Sequence, residues 1–175
     1  MKLIADVQII CDDEDQPPPA LIERWLSTAL HHVPQQRNEA EIAVRIVDTA
    51  EITELNHQYR NNNKATNVLS FPADLPDHIE LPLLGDLIIC APVVAKEARE
   101  QAKPSQHHWA HMLIHGTLHL LGYDHIDDAE AEQMEALEVK ILAALNIPDP
   151  YRPAEQNPIE LNSLHKPVGG LHLKP

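Results

Sequence analysis

The chain of 175 residues is 43% hydrophobic, which is enough for one domain with a substantial core. Its 13 basic and 27 acidic residues give a formal net charge of −14, whereas nucleic-acid-binding domains are usually basic. No run of residues is long and apolar enough to span a bilayer, and two cysteines, Cys11 and Cys90, do not suggest a disulfide scaffold. These features disfavour a membrane protein and a small secreted scaffold, and a cytoplasmic location is expected.

The N-terminal third of the chain is predicted to form two strands and the helix between them. Residues 2–10 and 41–47 are strand-like, and the second run alternates apolar residues with others. Residues 21–33 follow three prolines and have the periodicity of an amphipathic helix. Asp48, with Glu51 three residues later, predicts the start of a second helix that carries Arg60.

Two short apolar runs in the middle of the chain, residues 66–71 and 83–90, are typical of buried strands. Pro92 is expected to open the next helix. Ser105 follows another proline and is predicted to cap the N-terminus of a helix rich in histidine. That helix is apolar on nearly all sides, which predicts that it is buried in the core.

The run HGTLHLLGYDH, residues 115–125, predicts a metal site on this buried helix of the C-terminal half. His115 and His119 are four residues apart, so both project from one side of the helix. Gly122 can end the helix in a left-handed conformation and allow His125 to fold back toward them. Three neutral imidazoles suit Zn²⁺ and leave one position for water, which is typical of a catalytic site. Other divalent transition metals also bind imidazole.

His111 offers an alternative, because it lies four residues before His115. No turn places a third ligand beside that pair, so a supporting role for His111 is favoured. The remaining histidines of the twelve are interpreted as ordinary surface or core residues.

The residue after His115 is Gly116, where metalloproteases of the HExxH type carry the glutamate that acts as general base. Peptide hydrolysis by that route therefore lacks its base. Any reaction at the metal must take its proton acceptor and its anion-stabilising group from elsewhere in the chain.

A final helix is predicted after Asp127, which with Glu130 forms a capping box. Its acidic residues are expected to be solvated rather than to form a second metal site: Asp128, Glu132 and Glu135. Prolines and glycines then crowd a polar segment. Residues 1–153 are therefore predicted to form a single metallohydrolase-like domain, and residues 154–175 a disordered tail.

The order of these elements predicts an α/β (α+β) fold. We expect a single small mixed sheet of about four strands, packed with about five helices.

Four motifs in order make the chain resemble the YbeY family of bacterial endoribonucleases. The family carries N-x-x-Y-R, T-D/N-V-L-S-F-P, L-G-D and H-G-x-L-H-L-x-G-Y-D-H. Here they stand at residues 56–60, 66–72, 84–86 and 115–125.

The resemblance implies a single-strand-specific, zinc-dependent endoribonuclease in maturation of the 3′ end of small-subunit ribosomal RNA and in ribosome quality control. It also implies that His115, His119 and His125 are the zinc ligands and that Arg60 is the arginine of the catalytic cleft. Many members have aspartate where this chain has Asn67, so a carboxylate base at that position is not available here.

The acidic net charge predicts weak intrinsic affinity for RNA. A metal ion together with Arg60 and Lys64 can still make one patch positive. We therefore expect the ribosome or a ribosomal protein to present the RNA. The sequence does not fix the oligomeric state.

Two alternatives stay open on the sequence alone. One is another metallohydrolase such as a protease, which the glycine at position 116 weakens. The other is a non-catalytic ribosome-assembly factor in which zinc only holds the fold.

Overall fold

The computed structural model describes residues 1–11, 16–35, 37–74 and 82–152. Within these residues, nine elements follow one another: β1 (Lys2–Ile9), α1 (Pro19–His31), β2 (Glu39–Val47), α2 (Thr49–Arg60), β3 (Val68–Pro72), β4 (Leu83–Cys90), α3 (Ala91–Glu100), α4 (Ser105–Leu120) and α5 (Asp128–Ala144). The tail predicted for residues 154–175 lies outside the described ranges.

The strands form one mixed sheet in the order β1-β2-β4-β3. β1 pairs with β2, and β2 with β4, in parallel, while β3 runs antiparallel to β4. The predicted α/β fold with a small four-stranded sheet and five helices is confirmed for the described residues.

Alternation along the central strand β4 divides the core between the two faces of the sheet. Leu87 and Ile89 join the larger apolar cluster, which includes residues of α1, α4 and α5. Ile88 and Cys90 join a smaller cluster with Ile52 of α2. Because successive side chains of a strand point to opposite faces, one strand anchors helices on both sides.

Helix α4 is buried as predicted and contacts α1, α3, α5, β3 and β4. Leu113, Ile114 and Leu118 are fully buried. Burial of each such side chain contributes about 1.5–3 kcal/mol to folding. Packing of this kind holds the histidine-bearing end of α4 in a fixed place beside β3.

The predicted cap of α4 is wrong by one residue. Pro104 occupies the N-cap position and Ser105 is the first helical residue. The backbone N–H groups of His107 and His108 bond to the Pro104 carbonyl, so the first turn closes one residue earlier. Among the described residues, the Ser105 hydroxyl finds no hydrogen-bond partner.

The starts of α2 and α5 agree with the sequence, whereas α1 begins at Pro19, two residues before the predicted start, and α3 begins at Ala91, one residue before Pro92. Asp48 accepts a hydrogen bond from the Glu51 backbone N–H at 2.9 Å. Asp127 and Glu130 form the complete reciprocal capping box at the start of α5. None of the helices in the described part of the chain has the length and apolar character needed to cross a membrane.

Candidate metal centre

Three histidines come together where α4 ends. His115 and His119 lie on its last two turns, and His125 lies in the loop that leads to α5. One nitrogen from each ring lies within 4.8 Å of the other two. The structure thus brings together the three side chains that the spacing of the sequence selected.

Gly122 makes the turn that returns the chain to the helix end. Its φ of +102° lies in a region that side chains with a Cβ rarely adopt. The Tyr123 N–H bonds to the Leu118 carbonyl at 3.0 Å and closes the turn. The glycine therefore ends α4 as predicted and sets the path of the chain to His125.

Replacing Gly122 by alanine is expected to lower the free energy of unfolding by about 1–3 kcal/mol, as measured by urea denaturation. The cost comes from the backbone alone, because an added Cβ meets nothing within 4 Å. Ala102 provides the matched control, since its φ is +53° and Ala102→Gly relieves the same kind of strain. Wild-type stability in Gly122→Ala would show that the turn relaxes freely.

The two helical imidazoles face each other through their Nε2 atoms. His115 Nδ1 donates to Glu138 Oε2 at 2.5 Å, and His119 Nδ1 donates to the Tyr123 carbonyl at 2.9 Å. Since both partners are acceptors, each Nδ1 carries a proton. The two Nε2 atoms lie 3.1 Å apart, so they can share a proton or bind one metal ion.

Three imidazole nitrogens suit a divalent transition metal, of which zinc is one example. Zinc binds imidazole nitrogen at about 2.0–2.1 Å, so tetrahedral ligand atoms stand about 3.4 Å apart. The spacing of 3.1 Å between the Nε2 atoms of His115 and His119 is close to that value. The three rings would supply three ligands to such an ion, and the cavity beside them leaves room for water or substrate.

The protonation states of Glu138 and His119 favour binding of a cation at the three histidines. Burial would raise the pKa of Glu138, but hydrogen bonds from His111 and His115 outweigh it and lower the pKa to about 2. The carboxylate is therefore ionised. Burial, and then the neighbouring His115 and His125, lower the pKa of His119. At neutral pH that ring is neutral and able to bind a metal.

The cluster opens into a cavity of about 540 Å³. Its lining comes from β3, the end of α2 and the loop after α4: Arg60, Asn67, Val68, Leu69, Ser70, Pro72, His115, His119, Gly122, Tyr123, Asp124 and His125. Arg60, the candidate catalytic residue, and the three histidines thus share one cavity.

Arg60 is the last residue of α2, and two contacts with β3 orient its guanidinium group. Nη2 donates to the Ser70 carbonyl at 2.7 Å. The guanidinium carbon lies 4.9 Å from the centre of the Phe71 ring. An arginine has five N–H donors, so most remain for an anion in the cavity.

Asn67 lines the same cavity, but its side chain is engaged. Its amide nitrogen donates to both oxygens of Glu97, at 3.1 and 3.3 Å, and its oxygen accepts from the Val68 N–H at 2.7 Å. A carboxamide is not basic at neutral pH, so the Asn67 side chain cannot take a proton from a nucleophile. The departure from aspartate therefore removes a general base from this position.

Gly116, which stands where HExxH proteases carry a glutamate, is closely packed against the sheet. A Cβ on this residue would lie 2.8 Å from Leu87 Cδ2 and 3.2 Å from Ser70 Oγ. This part of α4 packs against the sheet, so a carboxylate there would meet the core. The protease alternative is weakened because the chain has no carboxylate at this position.

Sequence reasoning missed Glu138, a carboxylate of α5 that is fully buried. Besides His115, it accepts a hydrogen bond from His111 Nε2 at 2.9 Å and another from the Tyr151 hydroxyl. His111 therefore lies beside a ligand rather than in the cluster, as favoured above. The one available signal was the position of Glu138 on the apolar side of α5, four residues after Met134 and three before Ile141.

Comparison with known proteins agrees with the motifs. The family model for endoribonuclease YbeY matches residues 8–146. An endoribonuclease YbeY of Cellvibrio japonicus (strain Ueda107) is 58% identical over 150 residues, which cover 86% of this chain and 84% of that protein. The solution structure of a Thermotoga maritima protein aligns with a TM-score of 0.49 and 22% sequence identity. The alignment covers 80% of this chain and 91% of the Thermotoga chain. From the family match and the identity to the Cellvibrio protein, we conclude that this chain belongs to the endoribonuclease YbeY family.

Proposed function

We propose that this protein is a zinc-dependent endoribonuclease that cleaves single-stranded ribosomal RNA in the cytoplasm. Its role would be the maturation of the 3′ end of the small-subunit RNA and ribosome quality control. Membership of the YbeY family supports the reaction class. The observation that carries the metal dependence is the cluster of three histidines in which the Nε2 atoms of His115 and His119 face each other at 3.1 Å, beside Arg60 in one cavity.

The roles of the residues follow from what phosphodiester cleavage requires. His115, His119 and His125 would hold the ion. Zinc, when bound there, supplies a Lewis acid for a phosphoryl oxygen and lowers the pKa of water. Arg60 stabilises the charge that develops on the phosphoryl oxygens, because a guanidinium is always charged and can bind two of them at once.

The cavity favours single-stranded RNA. Its volume of about 540 Å³ is that of a small-molecule site, which accommodates a nucleotide taken out of a stack. A regular duplex keeps its bases stacked and presents a uniform backbone instead. We infer that a single strand is preferred because it can place one nucleotide in this cavity without first being unpaired.

The negative net charge of the protein favours presentation of the RNA by a partner. The net charge of −14 opposes binding of a polyanion, and Asp124 places a carboxylate in the cavity itself. We infer that the ribosome or a ribosomal protein holds the substrate near the site. Tight binding of free RNA by the isolated protein at physiological salt would contradict this part of the proposal.

Cleavage of a defined RNA tests the proposed function. A single-stranded RNA that contains the small-subunit 3′ end should be cut by the zinc-loaded protein. The same RNA annealed to its complement should be cut much more slowly. Identification of the new ends shows whether water or the 2′-hydroxyl attacks.

Two variants purified in the same way serve as controls for contaminating nuclease. His115→Ala removes a proposed ligand and should not cut. His31→Ala removes an exposed histidine at the end of α1 and should cut like the wild type. Equal cleavage by all three proteins, or equal cleavage of single and double strands, would refute the proposal.

A further inference from the structure

The carboxylate of Glu138 lies fully buried behind the metal cluster and has no part in the chemistry described so far. It stands on the side of α5 that also buries Met134, Ile141 and Leu142. An ionised group in such a place is costly unless several donors compensate it. The hydrogen-bond partners of Glu138 therefore indicate its role.

The two oxygens of Glu138 have different partners. Oε2 accepts the Nδ1 proton of His115 at 2.5 Å. Oε1 accepts from His111 Nε2 at 2.9 Å and from the Tyr151 hydroxyl. One oxygen serves a proposed metal ligand, and the other is held by a second histidine of α4 and by a tyrosine beyond α5.

We propose that Glu138 is a positioning residue of the metal centre: it fixes the tautomer and ring orientation of His115, while His111 and Tyr151 hold the carboxylate in place. The arrangement matches the carboxylate–histidine–metal pattern, in which an outer carboxylate aims a ligand and makes it more basic. This inference rests on the metal binding of the proposed function but not on the identity of the substrate.

The hydrogen bonds explain why the residue must be a carboxylate. An ionised carboxylate can only accept, so it leaves His115 the single choice of a proton on Nδ1 and a free Nε2. A glutamine amide at this position would present His115 either with its oxygen, a weaker acceptor, or with its NH2 group, a donor. In the second case the proton of His115 moves to Nε2, and the ring can no longer bind a metal through that atom.

The test is zinc affinity, measured by competition with a chromophoric chelator. Glu138→Gln should bind zinc about 10- to 100-fold more weakly than wild type. Tyr151→Phe removes one anchor and should give a smaller loss in the same direction. Glu135→Gln changes an exposed carboxylate of the same helix and should bind like wild type. A folded Glu138→Gln protein with wild-type affinity would overturn the proposal.

A second measurement reads the tautomer directly. Nitrogen-15 NMR of the metal-free wild type at neutral pH should show His115 protonated on Nδ1. A proton on Nε2 instead would overturn the proposal, whether or not Glu138→Gln folds. Neither measurement uses RNA, so a protein that binds zinc in this way but does not cut RNA would refute the proposed function and leave the role of Glu138 standing.

Discussion

Replacing Arg60 by alanine is expected to lower the cleavage of single-stranded RNA by about 100- to 1,000-fold, the usual effect of removing one group that stabilises transition-state charge. Zinc affinity should not change, because the guanidinium contacts Ser70 and Phe71 rather than the histidines. The measurement is single-turnover cleavage with saturating protein, together with a zinc titration of the same sample.

Two further variants make the result specific. Arg60→Lys keeps the charge but loses the two-point grip on phosphate, so its rate should fall between those of wild type and Arg60→Ala. Arg99→Ala removes an exposed arginine of α3 and should cut at the wild-type rate. If Arg60→Ala cut as fast as Arg99→Ala, Arg60 would be only a structural contact of β3.

The histidine cluster could be predicted from the sequence because its geometry is local. Two ligands one helical turn apart, a glycine that ends the helix and a third ligand three residues later lie within one run of eleven residues, 115–125. Helical periodicity and the positive φ of Gly122 fix most of the arrangement. Little depends on how distant parts of the chain pack.

Glu138 could not be predicted in the same way, because it is 23 residues from His115 in sequence and reaches it only through the packing of α5 on α4. Its helix also carries exposed acidic residues, which have the same appearance in the sequence. Arg60 is an intermediate case. The motif identified it, but only the antiparallel pairing of β3 with β4 places Ser70 and Phe71 where they orient its guanidinium.

The start of α4 shows how a correct rule can select the wrong residue. Serine is a good N-cap, and the sequence placed one directly after a proline. The Pro104 carbonyl accepts the first helical hydrogen bonds, so the cap falls on the proline and the serine becomes the first helical residue. The predicted helix was right, and its boundary differs by one residue.

Removing the metal with a chelator is expected to lower the rate of RNA cleavage by roughly 100-fold or more. The protein should stay folded. The larger apolar cluster joins α1, α4, α5 and the sheet without any of the three histidines. His125 is exposed, and the other two rings are only partly buried at the cavity wall. Far-UV circular dichroism should therefore stay unchanged, and the melting temperature should fall only by the contribution of a lost ligand.

The same experiment separates the enzyme from an assembly factor that uses zinc to hold its fold. Zinc added back to the wild type should restore cleavage, whereas His119→Ala should stay inactive at the same zinc concentration. Cooperative unfolding on chelation would instead favour the structural role, because binding energy would then be folding energy. The burial of α4 argues for the first result: Leu113, Ile114 and Leu118 are packed in the core, and the ligands lie at the end of an element that the core already holds.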